Sequence, residues 1–254
     1  MRNFNLEKTS NIKLMIFDKD LGRVECKNYE VKFTLSTNTE DIEDIFEAQV
    51  DQNVSFSKIL YFLENVINDS FVFQKELTTE MCKFVATSFD NNLIVLPSLE
   101  ENVLVLALHS KMNAIAAENS FVESLEVKDL DLQLNYNYFS DEFDSASPAL
   151  PTKDDWMGDL AFYDNPWWER NDSCTFDNAA ETAEEREKWV ALVSSDDYES
   201  ENLHDQAFEC IEEELRSFFK RAKDTKEGKG EAEVIEINFE QEHKKNKKWT
   251  PKVV

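Results

Sequence analysis

Three residue types carry most nucleophilic, acid–base and metal chemistry, and this chain spaces them against those uses. His109, His204 and His243 are isolated from one another. His204 and Cys210 stand six residues apart, a separation that does not put them on one helical face. Cys26, Cys82, Cys174 and Cys210 are widely separated and form no Cys-x-x-Cys, so the spacing does not support zinc. The four read as free, buried thiols of a reducing compartment. Asp141, Glu142 and Asp144 offer hard oxygen ligands, but the spacing of a calcium loop and its central glycine are missing. His109 sits in an apolar stretch and reads as a packed imidazole. No catalytic residue, metal or cofactor is assigned.

One further pair of carboxylates follows an apolar run: Leu14-Met15-Ile16-Phe17-Asp18-Lys19-Asp20. The segment resembles the first motif of haloacid-dehalogenase-type phosphatases. The resemblance covers about ten residues and implies Asp18 as nucleophile and Asp20 as acid–base, both beside Mg²⁺. The family also needs paired acids at a later strand end. Asp154-Asp155 and Asp196-Asp197 are present, but neither follows an apolar strand. The residues after Asp20 read as a hairpin rather than a helical crossover, which favours a charged turn.

The strongest signal is charge. From Asp141 to Glu214 there are 23 Asp/Glu against four Lys/Arg, a surplus of 19 negative charges in a chain of net −26. The same stretch holds Trp156, Trp167, Trp168 and Trp189. Glu181, Glu184, Glu185 and Glu187, and then Asp205, Glu209, Glu212 and Glu213, fall at helical spacing. Acids four apart on a helix lie about 6 Å apart along its axis, and phosphates on one strand of duplex advance about 3.4 Å each. The candidate partner-binding set is therefore these eight acids with Trp167 and Trp168, the aromatic pair serving as an anchor inside an acidic rim. The plainer reading of the tryptophans is packing, with Trp167 and Trp189 buried against the stripe Leu203–Phe218.

The elements that must position these groups follow from periodicity. Ile12, Leu14 and Ile16 alternate with polar or outward positions, as do Tyr29, Val31, Phe33 and Leu35, so residues 11–35 read as an antiparallel β unit around a turn at Asp18–Gly22. Helices are expected over Glu40–Val50, Ser55–Asp69 and Thr78–Phe89, and a strand over Asn92–Leu96. Ser98 and Glu101 form a capping box for a helix Leu99–Ala117. That helix is apolar on nearly every side over Val103–Leu108 and should lie centrally buried. Phe121–Phe139 reads as β with a phase change at Lys128–Asp129, hence a bulge or turn. Trp156–Phe176 is irregular. Ala179–Val193 and Glu199–Lys223 are helical, and Glu233–Phe239 is a last strand.

The expected fold class is α+β: an N-terminal antiparallel sheet with packed helices, an acidic helical segment and a final strand. Residues 1–139 form the core domain, 140–178 an acidic, Trp-containing linker or irregular segment, 179–242 the acidic helical pair plus final strand, and 243–254 a basic tail. The tail, with Trp249 and Pro251, is either a separate module or a solubilising end. A charge of −26 and a pI near 4.4 exclude a simple phosphate-binding surface. The longest apolar run, Val103–Leu108, is too short to cross a bilayer. The function expected is non-enzymatic, in the cytoplasm: binding and inhibiting or regulating a basic, nucleic-acid-handling protein by nucleic-acid mimicry. No direct nucleic acid or membrane contact is expected. The alternative is a virion or scaffold protein docking on a basic neighbour; a third is a metal-dependent phosphatase using Asp18 and Asp20. The Asn, Lys, Phe and acid usage with four Gly and five Pro suits an AT-rich genome such as that of a bacteriophage, acting in an infected host cell.

Overall fold

The computed structural model describes residues 4–18, 22–37, 45–75, 92–139, 150–159, 162–177, 182–193 and 203–227. The expected helix Thr78–Phe89, the strand Glu233–Phe239, the basic tail and Glu181 lie outside them. The chain divides into two compact units, Met1–Arg216 and Ser217–Val254.

The fold is α+β, as the alternation and helical spacing require. A six-stranded sheet runs in the order β4-β3-β1-β2-β5-β6. Strands β1 (Phe4–Asp18) and β2 (Arg23–Thr37) form one long antiparallel hairpin, in register from Phe4↔Thr37 to Asp18↔Arg23. Gly22 sits at φ +60°, a left-handed conformation that glycine adopts without steric cost. Strands β5 (Ser120–Asp129) and β6 (Leu134–Phe139) extend the sheet antiparallel from β2, with a bulge at Thr34/Leu35. On the other side β3 (Ser70–Gln74) and β4 (Leu93–Leu96) add in parallel. The phase change at Lys128–Asp129 is a turn: the Asp129 Oδ1 accepts the Asp131 and Leu132 N–H groups, both at 2.8 Å. Leu130 and Leu132, read as strand residues, fall in this turn, and Leu132 is exposed.

The two early helices expected over Glu40–Val50 and Ser55–Asp69 are one. Helix α1 (Ile45–Tyr61) continues as a π-helical turn, Phe62–Ile67. Asn53 and Ser55 are poor helix formers, but their side chains donate to the Gln49 and Asp51 carbonyls four residues back, both at 2.7 Å, and so stay within the helix. Helix α2 runs Glu101–Ile115. The capping box is not formed. Ser98 Oγ accepts the Glu100 N–H at 3.2 Å, and Glu101 is drawn to Lys27 of β2 instead of reaching back.

One face of the sheet packs on α1 and α2. Leu14, Tyr29, Val31, Phe33, Leu35, Val122 and Val127 meet Ile59, Leu63, Ile67, Leu104, Leu108 and Met112, all buried. Leu104 and Leu108 are 3% and 0% exposed, so the central helix is where the sequence put it. Met15 and Phe17 point to the opposite face and pack with Phe71, Phe73, Leu93 and Phe176.

Candidate functional site

The aromatic stretch is fixed to this core by one short irregular segment. Thr152 caps helix α3 (Lys153–Met157), its hydroxyl accepting the Asp155 N–H at 3.4 Å. A single 3₁₀ turn, Trp167–Glu169, follows. The Thr175 carbonyl accepts the Val95 N–H at 3.1 Å, which laces the segment to β4. The Trp167 indole donates to the Val95 carbonyl at 2.9 Å. The Asp177 carboxylate accepts from the Trp156 indole at 2.7 Å and from the Trp167 backbone N–H at 2.9 Å. Trp168 lies between Trp156 and Trp167, with ring centroids 5.0 and 5.5 Å away.

Trp167 and Trp168 are therefore 0% and 1% exposed. Neither is the exposed anchor expected of the pair. The Trp167 ring faces inward because the Val95 carbonyl satisfies its indole N–H, and the Trp168 ring is packed against the Trp156 and Trp167 rings. Trp167 meets the core through β4 and α2; the side chain of Trp189 lies outside the described residues.

Beneath the tryptophans is a buried ionic network. Lys111, on α2, is completely buried and donates to the Trp167 and Arg170 carbonyls at 2.9 Å each and to Asp172 Oδ1 at 3.0 Å. Arg170 pairs with Asp172 at 2.7 Å and with Asp177, and its guanidinium lies 3.8 Å from the Tyr163 ring centroid. Burial pulls the Lys111 ammonium below its ordinary pKa even with Asp172 opposing it. Burial raises the Asp172 carboxyl, but Lys111 and Arg170 outweigh that and hold it below its ordinary value. Burial also pushes the Cys174 thiol up, away from the thiolate a nucleophile needs. Three acceptors complete the Lys111 ammonium's three donors, so the network joins loop to helix.

The acidic helices divide into structural and exposed carboxylates. In helix α5 (Leu203–Glu227), Asp205 accepts the Ser173 N–H at 2.6 Å. Glu212 pairs with Lys58 of α1 and, at 3.1 Å, with Arg216; Arg216 also reaches the buried Asp51 at 2.9 Å. Hydrogen bonds from Lys58, and then from Arg216, hold the Glu212 carboxyl low. Phe208 is buried against Tyr61, whose hydroxyl is 3.1 Å from His204 Nδ1. Asp205 and Glu212 are thus engaged within the protein, whereas Glu209 and Glu213 are exposed. In helix α4 (Ala183–Val193), Glu184, Glu185 and Glu187 are exposed, and Glu184 pairs with Lys188 at 2.9 Å.

The remaining sequence candidates resolve individually. Asp18 ends β1 directly opposite Arg23, and the chain returns antiparallel as β2. The helical crossover that the phosphatase motif implies does not follow it. His109 is buried, with Nε2 2.8 Å from the Val122 carbonyl and its ring against Tyr138. Cys26 and Cys210 are exposed, correcting the expectation of buried thiols: Cys26 is an even-numbered residue on a strand whose odd-numbered side chains face the core. Among the described residues no three His, Cys, Asp or Glu side chains gather as a metal site. Also among them, no helix is long and apolar enough to cross a membrane.

No family model matches the chain, and no curated protein matches it. Among solved structures, the chain is similar to 6-pyruvoyl tetrahydropterin synthase of Caenorhabditis elegans, at 8% identity and a TM-score of 0.34, covering 56% of this chain and 98% of that one. It is also similar to the uncharacterized protein WS1659 of Wolinella succinogenes, at 10% identity and a TM-score of 0.31, covering 56% of this chain and all of that one.

Proposed function

We propose that this chain is a non-enzymatic acidic protein that binds and regulates a basic, nucleic-acid-handling partner in the cytoplasm, including that of a phage-infected cell, by occupying a nucleic-acid site. The supporting observation is the exposed set Glu184, Glu185 and Glu187 on α4 with Glu209 and Glu213 on α5, in a chain of net charge −26. Trp167, Trp168, Asp205 and Glu212 are left out of the proposed surface because each is spent inside the fold. Contact is then chiefly electrostatic. Such a surface steers association and weakens as salt screens it, over a Debye length of about 10 Å at 0.1 M.

The test is capture of basic proteins on the immobilised chain at low and high salt, with duplex DNA as competitor. The captured protein should elute with salt and with DNA. Glu209→Lys combined with Glu213→Lys should slow association more than it speeds dissociation, because exposed charges act mainly on encounter. A partner that ignores salt and holds DNA and this chain together would overturn the reading.

A further inference from the structure

A second corner of the sheet holds polar atoms that the fold leaves unanswered. Tyr29 of β2 and Asp129 of β5 are directly paired across the ladder, so their side chains stand on the same face. Both are 0% exposed. The Tyr29 hydroxyl and Asp129 Oδ2 have no hydrogen-bond partner, although Asp129 Oδ1 is fully used by the turn. Buried polar groups are paired in the great majority of cases, and each exception calls for a reason.

The surroundings state which chemistry would answer them. Lys27 lies two residues before Tyr29 on the same face and pairs with Glu101 at the start of α2. Lys27 and Glu101 are partly exposed, each side chain at 21%, whereas Tyr29 and Asp129 are buried. The Lys27 ammonium feels both Glu101 and Asp129. One cation therefore faces two carboxylates, and Asp131 adds to the negative field at Tyr29. Burial first, and then these acids, hold the Tyr29 phenol well above its ordinary pKa, hence protonated: a donor as well as an acceptor. Tyr136 of β6 stands beside them on the same face. The charge surplus asks for one positive charge, Asp129 Oδ2 for an N–H donor, and the Tyr29 O–H for an acceptor.

We propose that the corner formed by Lys27, Tyr29, Glu101, Asp129 and Tyr136 binds a small protonated amine carrying a neighbouring oxygen. The ammonium donates to Asp129 Oδ2 and the Tyr29 O–H donates to the ligand oxygen. The Lys27–Glu101 pair opens to admit the ligand and closes over it. The site is independent of the acidic surface proposed above.

Ethanolamine, ethylammonium and ethanol are the probes, titrated into the full chain by calorimetry and by amide chemical-shift mapping. Saturable 1:1 binding is expected in the order ethanolamine, ethylammonium, ethanol, with shifts centred on residues 27–29, 101 and 129–136. Asp129→Asn keeps the Oδ1 acceptor that holds the turn but replaces the orphan acceptor by a donor, and should weaken ethanolamine tenfold or more. Tyr29→Phe is the second variant. It removes an unpaired buried hydroxyl, so the urea midpoint should hold or rise while the preference for ethanolamine over ethylammonium disappears. No saturable binding, or ethanolamine affinity unchanged in Asp129→Asn and Tyr29→Phe, would overturn the proposal. So would a crystal structure soaked in ethanolamine with only an ordered water between the two oxygens.

Discussion

Replacing Lys111 by Met tests whether the tryptophan loop is held by an ionic lock or merely by apolar contact. The ammonium is completely buried and its three acceptors lie at 2.9 to 3.0 Å. Met matches the length of the stem and removes only the donors. The Arg170 carbonyl then becomes buried and unpaired, at about 1–3 kcal/mol. The Trp167 carbonyl keeps only the long bond from the Arg170 N–H at 3.4 Å, and Asp172 keeps Arg170 and the Cys174 N–H but loses its second cation. Against this, the desolvation of the ammonium is recovered, a sizeable return given that burial already pulls the Lys111 pKa down. The net loss should be about 3 kcal/mol, at the lower end of the range for breaking a buried pair. Domains of this kind are stable by about 5–15 kcal/mol in total, so the change is easily measured by urea unfolding. Trp156, Trp167 and Trp168 report on the same event, because all three rings are buried in or beside the loop. Tryptophan emission should move to longer wavelength in Lys111→Met while far-UV circular dichroism of the sheet is kept. A variant within about 1 kcal/mol of the parent, with unshifted emission, would refute the lock.

Leu108→Ala, at the fully buried centre of α2, should cost about 2–5 kcal/mol by the same urea assay, with the sheet and α1 unable to close the space. His109 and His204 are each held below their ordinary pKa chiefly by burial. The unfolded chain therefore takes up their protons first, and the urea midpoint should fall as pH drops through about 6.5. Asp172 and Glu212 are held low, so their contribution is present above the ordinary carboxylate pKa and is lost as pH falls below it. The acid side of the stability profile should flatten in Asp172→Asn. Glu212→Lys should lower stability, since it breaks pairs with Lys58 and Arg216, whereas Glu213→Lys should leave the unfolding free energy within about 0.5 kcal/mol of the parent.

Much of the scaffold is legible in side-chain parity. Tyr29, Val31, Phe33 and Leu35 alternate because one face of β2 is buried and the other wet, and the same parity would have placed Cys26 outside. The Val103–Leu108 run reads as central because α2 has the sheet on one side and the 3₁₀ turn of Trp167 on another, leaving little of its circumference for water. What periodicity cannot carry is a side chain whose partner is remote in sequence. Ser98 and Glu101 satisfy the local capping pattern, but Lys27, 74 residues away, takes Glu101 instead. Asn53 and Ser55 look like a helix break until their hydroxyl and amide find carbonyls one turn back. The parallel addition of β3 and β4 is likewise set by which strand edge is open, not by the alternation of either strand.

The candidate acids show the same limit in a sharper form. Composition counts carboxylates, but a helix sorts them by angle. Asp205, Glu212 and Arg216 recur at spacings of seven and four and so fall in one narrow stripe, the one turned toward the Ser173 N–H, Lys58 and Asp51. Glu213 is one residue further, about 100° round the helix, and stays in water. Lys111 carries the complementary lesson. A lysine spaced with Leu104, Leu108 and Ile115 on an apolar helix breaks the expected pattern, and a lone cation inside a core must find acceptors. In this chain, with acids so far in excess, the acceptors lie on the acidic, tryptophan-rich segment. The field read from sequence as an outward-facing surface is therefore partly turned inward, where Asp172 ties the segment to α2 and Asp177 holds Trp156, Trp167 and Arg170 together. Only the acids left outside that lock are available to a partner.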